Sequence, residues 1–483
     1  MNEKAGAQIS GKAFVQSVVI LLVLMLAAGL LTQVVPAGQY SRTMQGGREI
    51  IDAQSFRPVA RPDYPLWRWF TAPVEVLGGP DAFTIIVIIA FLLMVGSSFA
   101  VLDRSGILQG TIARLAGAFG AHRYLLLLAV TLFFMSLGAF FGIFEEVVPL
   151  VPVMIALSYA LGWDSLVGLG ISILATNMGF SAAITNPFTI GVAQKIAGLP
   201  LFSGAAFRIL IFVAVYGVTA AFLLVYARRI DRDPGRSPVF QEDRAMRLKY
   251  PVSRFQIASD DNPHLSRAIV WFAAFLLLIL LVLAASPFVP LLSDLSLPVV
   301  GILFLAGGIG AGALSGASRR TVLQAATDGL SGIAPSIPLI LMASSVKHIA
   351  AQGRIMDSLL HSAALALPAT TPFAAALLVF GLALVIEFFV ASGSAKAFLL
   401  MPILLPLADL TGVLRQTAVT AYCFGDGFSN LAYPTNPVLL ICLGLTVVSY
   451  PKWLRWTLPL WLGMLVLTVV FLGIAVAIGF GPF

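Results

Sequence analysis

The stretch Gly425-Asp426-Gly427-Phe428-Ser429-Asn430-Leu431-Ala432-Tyr433-Pro434-Thr435-Asn436-Pro437 sets one acid and a run of amides and hydroxyls between glycines and prolines, inside otherwise apolar sequence. Upstream, Thr176-Asn177-Met178-Gly179-Phe180-Ser181 runs into Thr185-Asn186-Pro187-Phe188-Thr189 in the same manner. Proline lacks a backbone donor and breaks a helix. Each stretch therefore predicts an interrupted helix, with freed carbonyls and side-chain oxygens grouped at the break. Such backbone is tolerated at membrane depth only where protein buries it or it lines a wet cavity.

The two stretches stand in register. Gly179-Phe180-Ser181 returns 248 positions later as Gly427-Phe428-Ser429, and Phe140-Phe141 returns at the same offset as Phe388-Phe389. Thr185-Asn186-Pro187 returns two positions later still, as Thr435-Asn436-Pro437, and Arg208 and Arg455 each head a long apolar run. One register held from residue 140 to residue 208 points to an internal duplication.

Composition places these motifs in a membrane. Of 483 residues, 59% are hydrophobic and 11% charged, with a mean hydropathy of +0.97. A soluble domain carries roughly 25% charged residues, so soluble, disordered and fibrous classes are excluded. Cys423 and Cys442 make no disulfide framework. Apolar runs long enough to cross ~30 Å of hydrocarbon lie at 13–35, 81–102, 205–227, 268–286, 298–317 and 456–478. The first is too long for a removable leader. Interrupted apolar stretches lie at 124–161, 164–196, 332–350, 373–408 and 416–447. Residues 228–267 carry nine basic side chains and form a linker between a first repeat, 1–227, and a second, 268–483.

Suppose 124–161 and 373–408 are re-entrant hairpins. Eighteen Lys and Arg then share the side of the N-terminus against seven on the other, which puts the N-terminus in the cytoplasm. Five crossings separate 81–102 from its counterpart near 332–350, so the halves run in opposite senses. Inverted repeats with broken helices are common in secondary transporters, whose sites lie where the repeats meet. The expected fold is an all-α polytopic protein of the cell (inner) membrane. It has two inverted-topology repeats, each with a re-entrant hairpin and a discontinuous transmembrane helix.

A carboxylate at membrane depth costs about 2.5–3.5 kcal/mol and is seldom placed there without a task. Glu145 and Glu146 in the first hairpin, and Glu387 and Asp426 in the second half, are therefore site candidates. The second hairpin continues Ala391-Ser392-Gly393-Ser394-Ala395-Lys396. Its small residues allow a turn that bares N–H groups to an anion, and Lys396 suits a buried carboxylate or a substrate carboxylate. The expected substrate-binding set is Glu145, Glu146, Asn177, Ser181, Thr185, Asn186, Ser392, Ser394, Lys396, Asp426, Ser429, Asn430, Thr435 and Asn436. Asp426, Asn186, Asn436 and Glu387 are the candidates for a coupling ion, Na⁺ or H⁺; no other cofactor is called for. Ser394 and Lys396 also admit an intramembrane hydrolase, but two positions apart is poor helical geometry for that pair.

Other features carry less. Gly307-Gly308-Ile309-Gly310-Ala311-Gly312 has no strand before it and reads as helix packing rather than a dinucleotide loop. His122, His264, His348 and His361 have no metal-ligand spacing, so no metal site is expected. No Walker loop is present, and the basic linker has no nucleic-acid motif.

Three segments carry a resemblance: Val35-Pro36-Ala37-Gly38-Gln39-Tyr40, Gly191–Gly204 with Gly198-Leu199-Pro200-Leu201-Phe202-Ser203, and Gln416–Pro437 around Phe424-Gly425-Asp426-Gly427-Phe428. They resemble the YfcC family, which is similar to the anaerobic C4-dicarboxylate carriers and the arginine/ornithine antiporters of the wider ion-transporter superfamily. The resemblance covers essentially the whole chain. It implies inverted repeats, a homodimer, elevator-like movement and a small-molecule solute, and family members are commonly labelled basic amino-acid antiporters. In the family pattern the second hairpin reads Ser-Gly-Ser-Gly-Lys; Ala395 replaces the second glycine here and stiffens the tip.

The acids Glu145, Glu146, Glu387 and Asp426 are opposed mainly by Lys396. An unshielded dianion is repelled by such a set in low dielectric. A basic amino acid, its amines near carboxylates and its carboxylate near Lys396, needs fewer assumptions. A secondary transporter exchanging or symporting amino acids such as arginine and ornithine is the expected function, with a C4-dicarboxylate carrier coupled to Na⁺ or H⁺ as the alternative. Neither is an enzyme.

Overall fold

The computed structural model describes residues 11–45, 48–52, 54–111, 114, 122–249, 263–285, 289–365 and 371–481. The start of the chain and the middle of the basic linker, with Arg254, lie outside the described residues. Among those described, ten helices are long and apolar enough to cross a membrane. The chain is an all-helical polytopic membrane protein. Its only described strands form two short antiparallel pairs between residues 38 and 58, Gly38–Gln39 with Arg57–Pro58 and Arg42–Gln45 with Arg48–Ile51.

Helix starts follow their local chemistry. Thr371 caps the Ala374 N–H, with Pro372 in the first helical position, and the Asp164 carboxylate caps the Val167 N–H at 3.0 Å. Ser318 caps Thr321. Each such cap is worth about 1 kcal/mol.

One bundle is built on small residues. The Ala82–Arg104 helix packs on Pro290–Leu314 and Arg319–Ile333, and Pro263–Ala285 packs on Pro290–Leu314. A β-carbon at Gly308 would overlap Ser98, one at Gly310 would overlap Trp271, and one at Gly329 would strike the backbone of Gly96 and Ser97. The Gly307–Gly312 run is thus a packing surface, where small residues let helices approach closely.

The interrupted segments occupy the interior. The apolar window within the 165–197 segment is wholly buried, whereas the window in Pro263–Leu283 is 22% buried and faces outward. Its helix Ala175–Ala182 and the later Arg415–Ser429 lie side by side, and Gly427 meets Ser181 where they pack. Each also rests on an earlier helix of the chain. Gly179 abuts the Met135 carbonyl in Arg123–Ser136, and Gly425 abuts Ala383 and the Phe380 carbonyl in Pro372–Glu387.

The basic segment that follows Arg232 is docked where it is described. Asp243 accepts from the Tyr159 hydroxyl (2.8 Å), the Ser165 N–H (2.8 Å) and the Ser165 hydroxyl (2.9 Å). The other oxygen of Asp164 accepts from the Tyr226 and Ser237 hydroxyls at 2.5 and 2.7 Å. Two buried carboxylates thus tie residues 237–243 to the amino end of the first interrupted segment.

Candidate functional site

The Asn-Pro doublets do different work from that expected. Asn186 and Asn436 are helix N-caps: Asn186 Oδ1 accepts from the Phe188 and Thr189 N–H groups, and Asn436 Oδ1 accepts from the Val438 N–H at 2.9 Å. Pro187 and Pro437 follow in the first helical position, where a missing N–H costs nothing. The doublets start new helices after each break.

Nor are the carbonyls at the breaks bare. Ala183 adopts a left-handed conformation (φ 44°), which ends the Ala175–Ala182 helix. The next carbonyl, of Ile184, accepts from Arg208 Nε and Nη2 at 3.2 and 2.9 Å. In the second break, the Leu431 carbonyl accepts from the Trp453 indole at 2.9 Å and the Ala432 carbonyl from the Tyr450 hydroxyl at 2.7 Å. Buried carbonyls require such partners. Arg208, buried to 1% exposure, also donates to the carbonyls of Phe202 and Ser203. Sequence reasoning noticed Arg208 as a repeat landmark and missed this role. A charge inside an apolar run was the available signal.

The expected residues divide accordingly. The hydroxyl of Ser181 donates to the Asn177 carbonyl, that of Thr185 to Phe140 and that of Ser429 to Gly425, so all three serve the backbone. Asn430 Oδ1 accepts from Asn436 Nδ2 at 3.3 Å. Glu146 accepts from the Ser296 hydroxyl at 2.8 Å and the Phe144 N–H at 3.3 Å. Glu145, half-buried, lies within electrostatic reach of both Glu146 and Asp426. Other groups are buried without a hydrogen-bond partner: both polar atoms of Asn177, Nδ2 of Asn186 and Oγ1 of Thr435.

At the second break, Lys396 lies between Glu387 and Asp426, its ammonium 2.6 Å from Asp426 Oδ1 and in contact with Glu387 Oε2. All three side chains are buried. Beyond the triad, none of these charged atoms has a hydrogen-bond partner. Gly393, at the start of the Gly393–Leu410 helix, lies against both halves: a β-carbon there would sit 2.7 Å from Thr189 and 2.9 Å from Asp426 Oδ2. Tyr422 donates to the Gly393 carbonyl and fixes the turn. At the first break Gly142, left-handed at φ 68°, lies in the same way on Asn186. Ser392 is exposed, and Ser394 borders a cavity. Because Lys396 is committed to two carboxylates, it is no general base for Ser394.

Buried acids, an ammonium and unpartnered amides drawn from both halves can hold a small polar solute away from lipid. The sequence profile of the family described as C4-dicarboxylate anaerobic carrier (DcuC) matches residues 14–477. The chain belongs to this family. It is a membrane transporter and not an enzyme, and its partners are a small-molecule solute and the lipid bilayer. The Escherichia coli (strain K12) protein named "Putative basic amino acid antiporter YfcC" is 31% identical to this carrier over 479 residues, 92% of each chain. A Haemophilus influenzae protein is 26% identical over 379 residues, 77% of the carrier and 72% of that relative. Among solved structures, the Alcanivorax borkumensis YdaH transporter aligns with 97% of the carrier and 100% of its own chain, at 19% identity and a TM-score of 0.42.

Proposed function

We propose that this carrier is a secondary active antiporter of basic amino acids, with arginine and ornithine as favoured solutes. The observation that carries the reading is the buried Glu387–Lys396–Asp426 triad, in which one ammonium faces two carboxylates. A buried charge without full compensation is expensive, so a triad with one surplus carboxylate favours a cationic solute or a coupling ion. The name of the Escherichia coli relative supports the same solute class.

Asp426 and Glu387 are the acids assigned to the cation, whether the solute amine or a coupling Na⁺ or H⁺. Asn186 and Asn436 have their oxygens engaged as caps, and the free Nδ2 of Asn186 is a donor. A donor suits the solute carboxylate, so the coupling-ion role shifts to the two acids. Asn177 and Thr435 offer the remaining polar contacts. The repeat register supports two inverted halves, 1–227 and 268–483, with re-entrant hairpins, and the basic linker supports a cytoplasmic N-terminus. An elevator-like stroke and a homodimer belong to the same proposal.

The second reading, a C4-dicarboxylate carrier coupled to Na⁺ or H⁺, is favoured by the family description and by Lys396 itself. Counterflow of labelled arginine, ornithine and succinate in proteoliposomes separates the two. Exchange of arginine and ornithine is the expected result. Exchange of succinate without arginine overturns the basic-solute reading in favour of the second.

A further inference from the structure

A cavity of about 870 Å³ opens beside the 388–392 break, within the size range of small-molecule sites. On one wall Val390, Ser394 and Ala395 stand directly before buried Lys396. The charged lining comes from elsewhere: Arg42, Lys347 and Arg354, with Asp81 and Asp357. Both acids are already paired. Lys347 Nζ lies 2.6 Å from Asp81, and Arg42 Nη2 lies 2.8 Å from Asp357. Asp357 also accepts the Tyr40 N–H at 2.9 Å.

Arg354 is the surplus cation. Its side chain is exposed, with neither an ion pair nor a hydrogen bond to any described residue. Its backbone is held firmly. The residue is left-handed at φ 52°, a conformation that a side chain adopts at a cost and keeps only when its surroundings impose it. Its N–H donates to the Ala351 carbonyl and its own carbonyl accepts from the Gly38 N–H, both at 3.0 Å. The preceding Gly353 lies so close to Thr32 that a β-carbon would overlap it. A guanidinium on a fixed backbone, without a partner among the described residues, therefore borders a cavity whose wall includes Ser394 and Ala395, next in sequence to Lys396.

We propose that this cavity is an anion-recruiting vestibule in which Arg354 takes the carboxylate of the incoming solute before the solute reaches the buried site. The vestibule requires a carboxylate and is indifferent to the other end of the molecule, so it serves an amino acid and a dicarboxylate alike. With Asp81 and Asp357 neutralised by Lys347 and Arg42, the lining keeps a net positive charge; such a charge raises the local concentration of anions by about tenfold, and salt weakens the effect.

The test uses the purified carrier with Ala395→Cys, an exposed position on the cavity wall. Cys423 and Cys442 are buried, and the unsubstituted chain gives the background. Modification rates are measured with an anionic (ethylsulfonate) and a cationic (ethyltrimethylammonium) methanethiosulfonate, each normalised to its rate with mercaptoethanol. The anionic reagent is expected to be favoured by about tenfold. That preference falls towards parity when Arg354→Gln is added and is retained with Arg354→Lys. A preference untouched by Arg354→Gln, or no reaction at position 395 with either reagent, overturns the proposal. In proteoliposomes, Arg354→Gln is expected to raise the KM for arginine about tenfold and to leave inhibition by agmatine, which is arginine without its carboxylate, unchanged. Equal weakening of both overturns the proposal. If the carrier exchanges succinate and not arginine, the basic-solute reading falls while the thiol ratio still decides the vestibule.

Discussion

Gly427 lies directly against Ser181, where the interrupted helices of the two halves pack together, and a β-carbon at Gly427 would sit 2.7 Å from the Ser181 backbone nitrogen. Backbone cannot retreat as the end of a flexible side chain can. Gly427→Ala should force the helices apart and lower stability by about 1–3 kcal/mol, the usual cost of overpacking. Gly381→Ala is the companion variant: it lies in the Pro372–Glu387 helix with nothing within 4 Å. It should be neutral or stabilising by up to about 1 kcal/mol. Thermal melting of both variants in detergent checks the pair, and equal losses would refute the packing argument.

Removing Lys396 should be worse than removing one of its partners. Lys396→Met strands Glu387 and Asp426 together in a buried space, and breaking a buried ion pair costs about 3–5 kcal/mol. Asp426→Asn leaves a one-to-one pair between Lys396 and Glu387. This variant should fold and melt near the parent temperature while losing arginine counterflow. Parent-like exchange by Asp426→Asn would remove Asp426 from the site.

Arg208 and Arg455 each head a long apolar helix, 247 positions apart, yet of the two only Arg208 is buried on carbonyls; Arg455 is exposed. Arg208→Met leaves the Ile184 carbonyl unpaired, at about 1–3 kcal/mol for each buried group so exposed. Arg455→Met should change stability by no more than about 0.5 kcal/mol. Melting temperatures of the two variants should differ accordingly, with Arg208→Lys recovering part of the loss.

Asp243 should make stability depend on pH. Burial pushes its carboxyl up to about 6, against the pull of the Ser165 N–H, and the nearby Asp164 pushes in the same upward direction. In the unfolded chain an aspartate titrates near 3.9, so the folded protein holds the extra proton between these values. This contribution is most favourable below about pH 4 and is lost as pH rises through about 6. The purified carrier should melt higher at pH 5 than at pH 7.5, and Asp243→Asn should flatten that difference. A slope unaffected by Asp243→Asn would assign it to other groups.

Much of the helical layout was legible in the sequence because apolar length and Gly, Asn and Pro punctuation are local signals. The breaks at 183–186 and 430–436, and the helices flanking 388–392, fall where the motifs put them. The task of each motif was less legible. Pro187 and Pro437 were read as freeing carbonyls, but each sits in a first helical turn, and which turn a proline occupies depends on where the preceding helix stops. The braces on Ile184, Leu431 and Ala432 come from Arg208, Trp453 and Tyr450. A backbone acceptor leaves no mark on composition, so these were invisible. The vestibule gathers Arg42, Asp81, Lys347, Arg354 and Ser394 from separate parts of the chain, a juxtaposition that no local pattern encodes.

The seating of Ser237 on Asp164 and of Asp243 on Ser165 has a mechanical corollary. Residues 237–243 are not slack but are pinned to the amino end of the 165–182 element, and Lys452 holds the Pro238 carbonyl and Glu242 on the other side. A fluorophore on the solvent-facing Gln241 would report displacement of that buried element relative to the Tyr450–Ala477 helix from a position in water, with no probe placed among the solute contacts.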